Sequence, residues 1–179
     1  YSRPRMGGIW GIKLNDGDDV ISVVKTTGDQ KLIVATKVGM AVRFNETDVR
    51  SVSRHSLGVR GIRLKKKDDE VVGMVVADSN RTLLTITENG YGKRTEIDDY
   101  RLINRGGSGV INIKTSERNG GVVVIKSVTD EDELMLISVG GQVIRTSSKF
   151  INVIGRNTQG VRLMRLNTGD KVADAAKIV

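Results

Sequence analysis

Arginine recurs in this sequence at a fixed interval. Arg43, Arg94 and Arg145 lie 51 residues apart, and Arg54, Arg105 and Arg156 keep the same step. Guanidinium groups are permanent cations whose forked donors fit the oxygens of phosphates and carboxylates. Cations at regular intervals suit a polyanion with regularly spaced charges, and a nucleic-acid backbone is the commonest one. A structural reading stays open beside this one, in which the arginines pair with acids inside the repeat.

Other cations fall into the same register. Lys13, Arg63, Lys114 and Arg165 share one repeat position; Arg60 and Arg162 share another, where Trp10 and Ile111 stand in the remaining units. Lys93 directly precedes Arg94. Together they extend the arginines into an expected belt of positive charge, one set per unit. Lys65-Lys66-Lys67 reads as a solvated basic turn.

Catalytic chemistry finds little to work with. His55 is the single histidine and lies beside Arg54 in a loop. Gly7-Gly8 and Gly106-Gly107-Ser108-Gly109 have the composition of phosphate loops, but no helix pattern follows either one, and the helix N-terminus is what such a site relies on. Acidic runs stand at 16–19, 68–70 and 130–133. They read as solvated turns that relieve the net charge, with divalent-cation binding as the alternative. No catalytic residue, metal ligand or cofactor site is expected. There is also no recognition helix, aromatic pair for base stacking or zinc-finger spacing, so contacts should go mostly to phosphates.

The elements that must carry these residues are strands. Gly39, Gly90 and Gly141 step by 51, as do Leu32, Leu83 and Leu134, while Gly8, Gly58, Gly109 and Gly160 step by 50, 51 and 51. Each unit predicts four strands: Gly58 to Leu64, Val71 to Ala77, Thr82 to Thr87 and, after the Asn89-Gly90 turn, Gly92 to Thr95, with counterparts in the other units. No window shows a helical stripe. The expected fold is all-β: a propeller-like repeat array of four-stranded blades, with units at about 5–53, 54–104 and 105–155 and a partial one at 156–179, all one domain. Three and a half units predict an open sector of a larger disc.

Composition agrees. Apolar residues make up 38% and aromatics only 3%, so the core must be aliphatic. The 21 glycines suit many tight turns. The balance of 29 Lys and Arg against 21 Asp and Glu leaves +8. Cysteine is absent, which excludes disulfides and Cys-based zinc sites and fits a cytoplasmic setting. No run approaches the length of a membrane helix, no signal-peptide pattern opens the chain, and a start at Tyr1 predicts a piece of a longer protein.

Several segments resemble the C-terminal domain of the DNA gyrase A subunit. They are Gly58-Val59-Arg60-Gly61-Ile62-Arg63-Leu64, Glu88-Asn89-Gly90-Tyr91-Gly92-Lys93-Arg94-Thr95, Thr115-Ser116-Glu117-Arg118-Asn119-Gly120 and Gly155-Arg156-Asn157-Thr158-Gln159-Gly160-Val161. Topoisomerase IV carries a related domain, but the Gly-Tyr-Gly-Lys-Arg-Thr and Arg-Asn-Thr-Gln-Gly stretches are more similar to gyrase. The resemblance implies a six-bladed β-pinwheel whose blades exchange strands and whose basic rim wraps double-stranded DNA, supporting ATP-dependent negative supercoiling. As partners it implies the gyrase B subunit plus the rest of the gyrase A subunit, with ATP and magnesium bound elsewhere in the enzyme. The family's catalytic tyrosine belongs to an upstream domain, so Tyr1, Tyr91 and Tyr100 are not read as nucleophiles. The seven-residue box Gln-Arg-Arg-Gly-Gly-Xaa-Gly that opens the family's first blade is not matched in full; Arg105 to Gly109 is a partial echo. Against the family, the chain covers roughly the last four blades. A propeller-like protein-interaction scaffold with incidental charge is the alternative function, while a sugar- or metal-binding propeller enzyme lacks any residue constellation.

Overall fold

A computed structural model describes residues 6–178; Tyr1 and the outer ends of the expected units, at 5 and 179, lie outside the described residues. Eleven strands are described: β1 (Lys31–Thr36), β2 (Met40–Asn45), β3 (Val71–Val76), β4 (Thr82–Thr87), β5 (Tyr91–Glu96), β6 (Val110–Ile111), β7 (Val122–Val128), β8 (Glu133–Ser138), β9 (Val143–Ser147), β10 (Val161–Arg162) and β11 (Val172–Ile178). They form three antiparallel sheets ordered β3-β1-β2-β6, β10-β5-β4-β7 and β11-β8-β9. No α-helix occurs among the described residues. Short 3-10 turns at Glu46–Asp48, Ile97–Asp99 and Ser148–Phe150 follow β2, β5 and β9 at the repeat interval, a feature the strand pattern does not announce.

Each sheet is built on a hairpin: β1–β2, β4–β5 or β8–β9. The turn between the hairpin strands holds Gly39, Gly90 or Gly141 with φ of 88°, 78° and 83°, a region that side-chain-bearing residues avoid. In the first two sheets strands from later in the chain close both sides, and in the third β11 joins β8 alone. β3 joins β1 and β7 joins β4, while the two-residue strands β6 and β10 reach back to pair with β2 and β5 of the preceding blade. Blades therefore exchange strands, and the hydrogen-bonded sheets do not coincide with units cut at 54, 105 and 156.

The predicted strands at Gly58 to Leu64, Gly109 to Thr115 and Gly160 to Leu166 differ most from the sequence reading. The first is a bend, and the others pair over two residues only. Glycine explains the brevity. Gly109 has φ of 71°, and a Cβ there would lie 2.2 Å from the Ala41 carbonyl oxygen; at Gly160 the same atom would lie 2.6 Å from that of Gly92. The chain comes close to its neighbour, makes one short pairing, and turns away. Asn112 and Ile113 then both donate their N–H to the Gly39 carbonyl.

Side-chain alternation stacks the sheets face to face. Ile33 and Ala35 on β1 and Leu83 on β4 meet Ile113, Val122 and Ile125 in one cluster. Leu84 and Ile86, on the opposite face of β4, meet Leu134, Leu136, Met164 and Val172 in the next. Leu32, Val34 and Phe44 turn to the outer face of the first blade. The middle blade is thus buried on both faces, each aliphatic side chain contributing about 1.5–3 kcal/mol. On the third blade β8 buries every second residue, and Val139, Val143 and Phe150 remain exposed.

Candidate nucleic-acid interface

The two repeated arginine series separate at once. Arg43 and Arg94 sit on the hairpin strands β2 and β5 and are only 6% and 4% exposed. The Arg43 guanidinium donates to the backbone carbonyls of Ile97 and Tyr100 at 3.0 and 3.2 Å and to Asp98 at 3.0 Å. Arg94 does the same one blade later, donating to the Ile151 carbonyl at 2.9 Å and to Asp130. Each arginine also forms a parallel bridge, to Leu102 and Val153 respectively. These two side chains tie a hairpin to the 3-10 turn of the following blade. They are turned inward, so the expected exposed belt does not include them. Backbone carbonyls and one carboxylate for each arginine offset the cost of burying the charge, although the Arg43 Nε–H keeps no partner.

Lys93 is a second correction. Its side chain is fully buried, and the ammonium donates to the carbonyls of Gly155 and Arg156 at 2.7 and 2.8 Å. Burial, with the nearby Arg156 charge adding to it and Asp99 partly opposing, lowers its pKa to about 8. Arg145, the third member of the strand series, remains exposed on the last blade, where Glu133 accepts its Nε–H at 3.2 Å. All three members of this series therefore pair with acids.

The loop series behaves differently. Arg54, Arg105 and Arg156 each donate an Nη1–H to a backbone carbonyl of the preceding unit: Trp10 at 3.2 Å, Arg60 at 3.1 Å and Ile111 at 2.8 Å. Those three carbonyls belong to one repeat position. Arg105 adds an Nε bond to the Asp48 carbonyl, and Arg156 lies 5.9 Å from the Tyr100 ring centre. Successive loops also join through their backbones, Gly106 to Gly61 and Lys114 to Thr158. None of the three arginines forms an ion pair among the described residues, and most of their five N–H donors keep no protein partner. Arg60 and Arg63, both exposed, share these loops and are likewise without a carboxylate.

Arg162 stands on β10 directly opposite Tyr91 and donates to its hydroxyl at 2.8 Å. Arg118, which the repeat register does not single out, lies 4.9 Å from the same ring centre. The acidic runs act within the fold. Asp69 accepts the N–H groups of Val38 and Glu70, Glu70 pairs with Lys37, and Asp132 caps Thr129 and meets Lys177. Among the described residues no three His, Cys, Asp or Glu side chains converge to hold a metal ion. No helix among them is long and apolar enough to cross a membrane.

The strand-exchanging stack of small sheets that carries these loops is shared with known proteins. The family model described as "DNA gyrase C-terminal domain, beta-propeller" matches residues 5–27, 30–78, 81–129 and 132–178. The chain belongs to the DNA gyrase C-terminal domain family. Three of the four matched segments start just before the hairpins β1–β2, β4–β5 and β8–β9. The chain is 43% identical over 178 residues to the DNA gyrase A subunit of Salmonella typhimurium, a match that covers 99% of the chain and 20% of that relative. It is 47% identical over 175 residues to the gyrase A subunit of Haloquadratum walsbyi, covering 97% and 20%. The chain thus spans about a fifth of these relatives. A solved gyrase A C-terminal domain superposes with a TM-score of 0.86 at 33% identity, over 97% of this chain and 59% of that one. A C-terminal domain of topoisomerase IV reaches 0.91 at 22% identity, over 99% and 56%, and so shares the fold.

Proposed function

We propose that this gyrase-family chain is a non-catalytic module that binds duplex DNA by its phosphates, bends it along the blade loops, and so supports ATP-dependent negative supercoiling by a larger topoisomerase. The observation that carries this reading is the loop series Arg54, Arg105 and Arg156. Each is anchored by one or two backbone carbonyls, lacks an acidic partner, and recurs at the same place on successive blades. Anchoring lowers the conformational entropy lost on binding, while the remaining donors stay available to phosphate oxygens. Arg60 and Arg63 add charge in the loops, and Arg162 adds it on β10.

Residues 1–179 act in this reading as one pinwheel domain whose units recur at about 5–53, 54–104, 105–155 and 156–179. Its protein partners are the gyrase B subunit plus the remainder of the gyrase A subunit; its compartment is the cytoplasm. Cleavage, ATP and magnesium belong to those partners.

Six to eight neutralised phosphates give a slope of about −5 to −7 for log affinity against log salt. Anisotropy titrations with a linear duplex at several salt concentrations measure it. Affinity indifferent to salt, or no binding at low salt, would instead support a protein-interaction scaffold.

A further inference from the structure

We propose that Arg118 and Arg162, gathered around Tyr91, form a two-pronged seat for a single phosphate group on the second blade. The inference rests on the DNA-binding reading for the source of that phosphate, but the seat itself follows from local geometry. Register places Arg162 on β10 opposite Tyr91 on β5. Its Nη2 donates to the phenol oxygen at 2.8 Å, and its guanidinium carbon lies 5.3 Å from the ring centre. Arg118 approaches the same ring at 4.9 Å.

The platform beneath is rigid. Arg118 belongs to a turn in which Asn119 is buried, its side-chain amide donating to the backbone carbonyls of Lys114 and Gln159 while its side-chain oxygen accepts from the Ser116 N–H at 2.8 Å. Asn89 grips the same turn through the carbonyls of Glu117 and Arg118 at 3.0 and 3.1 Å. Tyr91 is buried. Two long side chains that would otherwise wander are held against one aromatic ring.

Neither guanidinium has a carboxylate partner. Arg118 meets only the Gln159 amide oxygen, at 3.4 Å, besides the ring. Arg165 lines the same open cleft of about 430 Å³ and adds a third cation. The acids around it are engaged or turned to other partners. Asp170 accepts from the Ser138 hydroxyl and from the N–H groups of Gly140 and Lys171, and Glu88 faces Lys171. Glu117 is exposed on the turn itself. The local field is therefore positive, and the two arginines hold the Tyr91 phenol below its ordinary pKa.

This arrangement occurs once. One unit earlier the corresponding positions carry Met40, Lys67 and Ile111, and in the following unit Gln142 replaces the tyrosine. The seat would fix the register of the backbone on the rim, while the loop arginines supply charge along its length.

Two measurements on the 179-residue chain test it. The first is a titration with inorganic phosphate, followed through the Nε–H signals of arginine in the NMR spectrum. Wild type should show two shifting signals, lost in Arg118→Gln and Arg162→Gln respectively. The second is the salt slope of duplex binding. Because both prongs share one phosphate, each single variant should keep nearly the wild-type slope and bind several-fold more weakly. The double variant should lose about 0.9 of slope and about tenfold in affinity. Tyr91→Phe, which keeps both charges, should weaken binding a few-fold at unchanged slope.

Single-variant losses of about 0.9 that simply add would mean two separate contacts and overturn the shared seat. Wild-type slope and affinity in the double variant, with no phosphate response, would overturn it entirely while leaving the DNA reading intact. Phosphate response without any duplex binding would uphold the seat for a free phosphate and refute the DNA reading.

Discussion

Arginine performs opposite tasks on two sides of the same blades. On the hairpin strands, Arg43 and Arg94 are buried, meet carbonyls of the next blade and face Asp98 and Asp130. In the loops, Arg54, Arg105 and Arg156 meet carbonyls of the preceding unit and face no acid. Both series repeat every 51 residues, so periodicity alone cannot separate a structural cation from a binding one. The presence of an acidic partner does. A guanidinium with a carboxylate is electrically complete, whereas one held only by carbonyls keeps charge for an incoming anion.

The contrast can be broken most forcefully on the strand side. Arg94→Met leaves the buried Ile151 carbonyl without its donor, which should cost up to about 3 kcal/mol, while the exposed Asp130 is left to water. Denaturation in urea measures it, and the folded protein should keep the wild-type salt slope for duplex DNA. Gly109→Ala attacks the loop approach. A positive φ and a 2.2 Å contact with the Ala41 carbonyl predict a loss of about 2–3 kcal/mol. A thermal melt unchanged from wild type would show that the loop does not need so close an approach.

Lys93 gives a pH signature next. Its pKa is about 8 in the folded chain against an ordinary value of 10.5, so the unfolded chain holds more protons between those values. Stability should therefore rise as pH climbs through that window, by of the order of 2 kcal/mol. In Lys93→Met that rise should be missing, which urea melts at pH 7, 8.5 and 10 would detect. The smallest effect belongs to Arg145→Gln. Its pair with Glu133 is exposed, and its loss should change stability by less than about 0.5 kcal/mol although it shares the register of Arg94. A loss as large as that of Arg94→Met would erase the distinction drawn between buried ties and surface pairs.

Much of the fold was legible because each hairpin repeats its glycine, its buried leucine and its β-branched alternation. The strands at Thr82 to Thr87 and Val122 to Val128 fall where the pattern places them. The segments around Gly58, Gly109 and Gly160 were misread as full strands, because their alternation is genuine but their partner is the short free edge of another blade, reached through glycine. In the site, the loop arginines were legible from spacing. The burial of Arg43, Arg94 and Lys93 was not, since the partners that hold them inside are mainly backbone carbonyls, which carry no sequence signal. Arg118 was invisible to the register because its counterparts are Lys67 and Gly169. Only the pairing of Tyr91 with Arg162 reveals what it borders.

The division of labour between the two series rests most directly on the salt slope of Arg54→Gln/Arg105→Gln/Arg156→Gln set beside that of Arg43→Met/Arg94→Met, both measured on folded protein with the same duplex. The loop triple variant should lose about 2.7 of slope and keep its melting temperature within a few degrees, while the strand double variant keeps its slope and melts far lower. A strand variant that loses slope while the loop variant retains it would contradict the account.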